Sequence, residues 1–198
     1  MTSSVVNGYK GINNKGQQAY MFGLGGGYSF VLAPTWDLQL GLEAAYVNYN
    51  KSHGVVHPTI NIAPNIDTLN YSYNTKSYTL MGASDLRWWV DQHSFVSGYA
   101  EAGIAWNMLS NYSETMPAGS SMSPTTKPFL DRTTRRPAFS VGIAIGYQVH
   151  AHWAIEMGYR YINTGNANLK APAGSISQPN FASGILSAHM IYVNLLFG

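Results

Sequence analysis

The sequence contains no cysteine, which removes disulfides, thiolate metal ligands and thiol nucleophiles at once. Charge is also scarce: Asp, Glu, Lys and Arg together make up 10% of the 198 residues, far below the roughly one quarter usual in soluble domains. The formal net charge of +2 is too small to point to nucleic acid. No apolar run approaches the ~18 residues of a membrane-crossing helix, so helical spans are excluded. Thr2, Ser3, Ser4 and Val5 follow Met1 with no basic start or apolar core, so no secretory leader is visible and the numbering is expected to describe a mature or trimmed chain. In place of charge the chain carries 20 glycines and 13% aromatic residues, 14 Tyr and 5 Trp among them.

Those residues are arranged with period two, the signature of strands. Between Ala138 and Thr164 the alternation is clearest: Phe139, Val141, Ile143, Ile145, Tyr147 and Val149 share one face, opposite Ser140, Gly142, Ala144, Gly146 and Gln148. After His150, Ala151 and His152 it resumes, with Trp153, Ile155, Met157, Tyr159 and Tyr161 opposite Ala154, Glu156, Gly158 and Arg160. Two such runs across so short a break predict an antiparallel hairpin. One face is apolar and aromatic and the other small, polar or charged, so the apolar face is expected to meet lipid and the other a narrow wet interior.

The same layout recurs along the chain. Tyr20 to Leu32, Trp36 to Tyr46, Tyr78 to Val90, Val96 to Met108 and Ile185 to Phe197 all alternate. Turns of a few residues at 33–35, 91–93 and 150–152 alternate with long connections at about 51–74, about 111–136 and up to about Gly184. Short turns on one side and long loops on the other are typical of transmembrane β-barrels. Because the first connection is short, the strand at 17–32 must run toward the periplasmic side, and residues 2–11 are the segment left for an upward strand before it. The expected fold is therefore one all-β domain over 1–198, an eight-stranded antiparallel up-and-down transmembrane barrel with a short first strand. All nine prolines fall in expected turns or loops or, for Pro137, at a strand entrance.

On these features the chain resembles the OmpA/OmpX-like family of small eight-stranded outer-membrane barrels. The resemblance is carried by FGLGGGYSF at 22–30, the repeated strand and turn layout, GYRY at 158–161, and the terminal run from Tyr192 to Phe197, which ends on an aromatic residue followed here by Gly198. It implies a barrel in the outer membrane of a Gram-negative bacterium and implies no activity.

Several constellations could carry chemistry. Projection of the strands places Glu43, Asp85, Arg87, Glu101, Glu156 and Arg160 in the lumen, where four carboxylates face two guanidiniums. A structural polar plug is the preferred reading, with a proton or ion path as the alternative. The glycines at 23, 25, 26 and 27 lack the Lys and Ser/Thr of a phosphate loop and are expected instead to make room in the lumen for long side chains such as Arg160. Lys127, Arg132, Arg135 and Arg136 form a basic cluster suited to lipid headgroup phosphates. Ser187 and His189 share the outward face but lack an acidic partner, so catalysis is not expected. His150 with His152, and His53 with His57, are pairs without a third ligand, so neither a metal nor another cofactor is expected.

Two aromatic girdles are expected. The lower holds Trp36, Trp88, Trp89, Phe95, Trp153 and Phe197, and the upper holds Tyr46, Tyr49, Tyr71, Tyr73, Tyr78, Trp106, Tyr112, Tyr159 and Tyr161. The expected protein is a monomeric, non-enzymatic outer-membrane barrel contacting lipid, lipopolysaccharide or a surface partner through its loops. An OmpW-like conduit for small apolar molecules and a lipid A-modifying enzyme are the alternatives.

Overall fold

The structure, a computed structural model, describes residues 9–12, 19–58, 69–116, 129–170 and 182–197. The elements among them are all strands: β1 (Tyr9–Ile12), β2 (Tyr20–Ala33), β3 (Trp36–Pro58), β4 (Leu69–Trp89), β5 (Ser94–Thr115), β6 (Arg132–His150), β7 (Trp153–Asn168) and β8 (Ala182–Phe197). From β2 onward each strand pairs antiparallel with its successor, giving an up-and-down sheet. The short turns fall at the residues the alternation marks, such as Pro34–Thr35 and Ala151–His152.

The strands occupy seven lanes. β1 pairs with the far end of β3, from Tyr9↔Pro58 to Ile12↔Val55, and β2 with the rest of the same edge, from Tyr20↔Asn48 to Ala33↔Trp36. Both run antiparallel to β3, so β1 continues the lane of β2 in the same direction. This corrects the expectation of a separate upward strand over 2–11: residues 9–12 descend with β2, and residues 2–8 lie outside the described residues. β2 and β8 are the edges, no pairing joins them among the described residues, and the sheet is not closed. It is nonetheless strongly curled, because Tyr49 on β3 hydrogen-bonds Thr164 on β7 at 2.8 Å.

Curling separates the two faces. Leu24, Leu42, Ile143, Ile145 and Ile191 are 63–86% exposed, whereas Arg87, Glu101, Glu156 and Arg160 are 4–7% exposed. The outward row Tyr46, Tyr78 and Trp106 lies in direct register across β3, β4 and β5, and at the turn end Trp36 faces Trp88 with rings stacked at 6.2 Å.

The strands run further than the alternation suggests, because bulges shift its phase. Between Asn48 and Lys51, and between Ser110 and Ser113, the strand carries one residue more than β4 opposite it; Asn50 (φ 58°) and Asn111 (φ 55°) take up the left-handed backbone there. Gly165 (φ 78°) and Gly184 (φ 76°) mark the irregularities of β7 and β8. Past each bulge of β3 and β5 the opposite set of residues turns inward, so Ser52, Tyr112 and Glu114 are buried. The expected loops at 51–74 and 111–136 therefore shrink, as β3 continues to Pro58 and β5 to Thr115. Pro137 lies within β6 rather than at its start, facing Ile104 of β5, while the ladder to β7 begins at Phe139.

Several girdle residues face inward instead, Tyr49, Tyr71, Tyr73 and Phe95 by the regular alternation of their strands and Tyr112 through the β5 bulge. Tyr49, Tyr71, Tyr73 and Tyr112 point inward at 3–7% exposure, and with Leu69, Leu109, Phe129 and Leu169 they form an apolar core near the loop end. Tyr71 stacks on Tyr73 and Tyr112 at 5.9 and 6.1 Å, and Tyr112 meets Phe129 edge-on at 4.9 Å. Phe95, 1% exposed, packs against Trp89 at 5.1 Å inside the turn end. Tyr46, Tyr78, Trp106, Tyr159 and Tyr161 remain outward or half-exposed.

Candidate functional site

All six interior charges predicted from the alternation come together, in two linked clusters stacked along the curl. In the upper one Arg160, on β7, reaches back across β6 and β5. Its guanidinium pairs with Glu101 and lies 2.8 Å from Glu43 Oε1 of β3, while its Nε donates to Ser140 Oγ at 2.8 Å. The Tyr99 ring lies under the guanidinium, 5.5 Å from its carbon. Backbone alternation places these groups on one face, and the short side chain of Ser140 leaves the space that Arg160 fills.

The lower cluster is built on β4, β7 and β8. Arg87 donates from Nε to Asp85 Oδ2 at 2.9 Å, its Nη2 lies 3.9 Å from Glu156 Oε2, and its guanidinium covers the Phe95 ring at 4.8 Å. Glu156 accepts from Tyr192 (3.0 Å), Asn194 (3.2 Å) and Ser97 (3.4 Å). Tyr99 and Tyr192, edge-on at 5.8 Å, join the two clusters. At the turn end Trp89 Nε1 donates to Asp37 Oδ2 at 2.6 Å.

Two buried carboxylates, Glu101 and Glu156, and two part-buried ones, Glu43 and Asp85, against two guanidiniums give the network a surplus of acid. Each guanidinium serves two carboxylates, and Tyr192, Asn194, Ser97 and Ser140 supply further polar contacts. Such a cross-linked interior ties the register of the strands that contribute to it. The sequence places Tyr99, Tyr192 and Asn194 near these charges, as found, but does not single out Ser97 and Ser140, though their strand positions mark both as inward. A Cβ at Gly23 or Gly25 would meet Glu43 and the β3 backbone, one at Gly27 the backbone of Leu40 and Gly41, and one at Gly26 nothing, so none of the four makes room for Arg160 directly. A Cβ at Gly142 would collide with the Tyr99 ring and one at Gly146 with the Phe95 ring, so these two accommodate aromatics.

A second, uncharged polar layer lies nearer the loop end. Tyr49, Ser77, Asn107 and Thr164 converge there, with Ser77 Oγ donating to Asn107 Oδ1 at 2.5 Å and Asn107 Nδ2 donating to the Thr164 carbonyl at 2.6 Å. Burial pushes the Tyr49 pKa up to about 12 despite its bonds to Thr164 and Ser77. Tyr71 and Tyr73 above it are also raised, desolvation being the main cause.

The basic cluster divides. Arg135 is exposed on the outward face beside Trp106, and Arg132 is exposed near the start of β6. Arg136 is half-buried and donates to Asn166 Oδ1 of β7, which corrects its expected role at a headgroup; Lys127 lies outside the described residues. Ser187 and His189 lie on the outward face of β8 opposite Asn163 and Tyr161, and His189 Nδ1 is taken up by the Tyr159 hydroxyl. That engagement leaves no acid–histidine–serine relay in this group. The His150 and His152 rings are 5.9 Å apart, and no group of three or more metal-ligating side chains occurs among the described residues. Comparison with family models, with curated proteins and with solved structures finds no match.

Proposed function

We propose that the chain spans a bacterial outer membrane as a β-barrel protein, a monomer whose sealed interior makes it an anchor and surface-presenting scaffold rather than a channel or an enzyme. The observation that carries this reading is the inversion of polarity: isoleucine and leucine are exposed around the outside while arginine and glutamate are buried within. The apolar band has membrane dimensions. From Trp36 to Tyr46 there are ten residue steps, about 33 Å along the strand and about 25 Å along the normal at the usual tilt, the height of the apolar belt on such barrels. Aromatic rows at both ends of that band suit the two interfaces.

The interior argues for the role. A doubly paired charge network below and a tyrosine-rich core above leave a packed interior, which disfavours both an ion path and an apolar conduit. The strands that outrun the band carry an inward apolar core and outward Asn70, Ser72 and Asn74, as a solvated extension suited to partner contact would.

Gel mobility of unboiled and boiled protein in detergent tests the barrel. A shift between the two, with solubility only in detergent, is expected; identical mobility and detergent-free solubility would overturn the reading. In planar bilayers the folded protein is expected to give no steady conductance. A stable open channel would refute the sealed interior.

A further inference from the structure

Resting on the membrane reading above, we propose that Lys76 and Arg135 form a cradle for a lipid phosphate, holding a phosphorylated glycolipid of the loop-side leaflet against Trp106 and Met108. The pairing of β4, β5 and β6 creates it. Tyr78, Trp106 and Arg135 lie in one cross-strand row, and Lys76, Met108 and Thr133 in the next row toward the loop end. All six side chains project outward, and neither row contains a carboxylate.

Lys76 and Arg135 flank β5 from opposite sides. At the usual strand spacing and rise their Cα atoms are about 12 Å apart, so two extended side chains can converge on one phosphate above Met108. The guanidinium offers a bidentate fork and the ammonium a point charge. Trp106 and Tyr78 beneath them present amphipathic rings to the acyl chains at the same level.

Charge distribution over the described residues points to the loop-side leaflet. Among the described residues the exposed cations Lys51, Arg132, Arg135 and Lys170 and the half-exposed Lys76 lie at or beyond the Tyr46–Tyr78–Trp106 row, with half-exposed Arg136 one step below it, and the exposed carboxylate at this end is Asp131. At the turn end the fully exposed charged side chain is Asp91, whose carboxyl is held below its usual range by the backbone N–H groups of His93 and Ser94. A barrel basic at one rim and not at the other fits a bilayer with its phosphate concentrated on one side. Arg136 faces inward, so the cradle recruits Lys76 from β4 in place of the sequence-adjacent arginine.

The test uses folded protein in detergent micelles, with bisphosphorylated lipid A and zwitterionic phosphatidylethanolamine offered together and retained lipid counted by native mass spectrometry. Selective retention of lipid A is expected, weakened about fivefold by Lys76→Gln and by Arg135→Gln, each removing one interfacial cation, with Lys170→Gln, three strands away from Lys76, as an unchanged control. Equal retention of the two lipids, or full retention by the double variant, would overturn the cradle. So would displacement of lipid A by millimolar inorganic phosphate, which would assign the site to the free anion. The heat-dependent gel shift is read on the same samples: present without lipid selectivity, the cradle fails and the barrel stands; absent, both fail.

Discussion

At the scale of the residue, the interior charges carry the sharpest consequences. Arg160 is shared between Glu43 and Glu101, so Arg160→Ala leaves both carboxylates without their cation in a largely buried site and is expected to cost about 3–5 kcal/mol, measured by urea unfolding in micelles. Glu101→Gln removes part of the acid surplus and keeps Glu43 on Arg160, so a much smaller loss is expected in the same assay. Tyr49 gives a pH prediction. Its pKa is raised from 10.0 to about 12, so the protonated form favours folding: the contribution is complete below about pH 10 and is lost as pH rises toward 12. Absorbance titration is expected to show late-ionising tyrosines, fewer in Tyr49→Phe, whose alkaline loss of stability should flatten over the same window. The inward identity of Glu43, Glu101, Glu156 and Arg160 was legible from alternation alone. Which acid meets which base was not, because that depends on the stagger between β3 and β7, and no local pattern encodes it.

At the scale of the element, the bulges separate what sequence periodicity can say from what it cannot. Turns, strand faces and the outward bands of β6 and β7 followed from period two, since those stretches keep one phase between turns. The phase change at Asn50 and Asn111 was invisible: an asparagine in a polar run reads as the start of a loop. Tyr112 was accordingly placed outside, although the extra residue before it turns it in. Tyr71 and Tyr73 were legible in principle, being odd-numbered like Thr79 and Met81, had β4 been extended past Asn74. Inserting one alanine between Asn111 and Tyr112 moves every later residue of β5 one place along β4 and swings Tyr112 and Glu114 outward. The expected cost is about 3 kcal/mol or more, with proteolysis of the loop-end extension while the heat-dependent gel shift survives. Unchanged protease resistance would mean that the bulge does not set the phase.

At the scale of the whole molecule, the number of lanes decides where the chain starts and stops. A cylinder with an even number of antiparallel staves brings its two termini back to one side. Here the described chain opens with β1 beside the loop-end tip of β3 and closes with Phe197 beside Trp153, next to a short turn. A membrane threaded this way separates them. With no native cysteine to interfere, single thiols report it directly: Gly11→Cys is expected to label together with Gly184→Cys from one side, and Phe197→Cys with Gln92→Cys from the other. Labelling of Gly11→Cys from the Gln92 side would refute the shared lane of β1 and β2. If the outer-membrane setting proposed above and this separation both hold, a tag inserted beside Gly11 is displayed on the cell exterior, and one inserted beside Phe197 faces the periplasm.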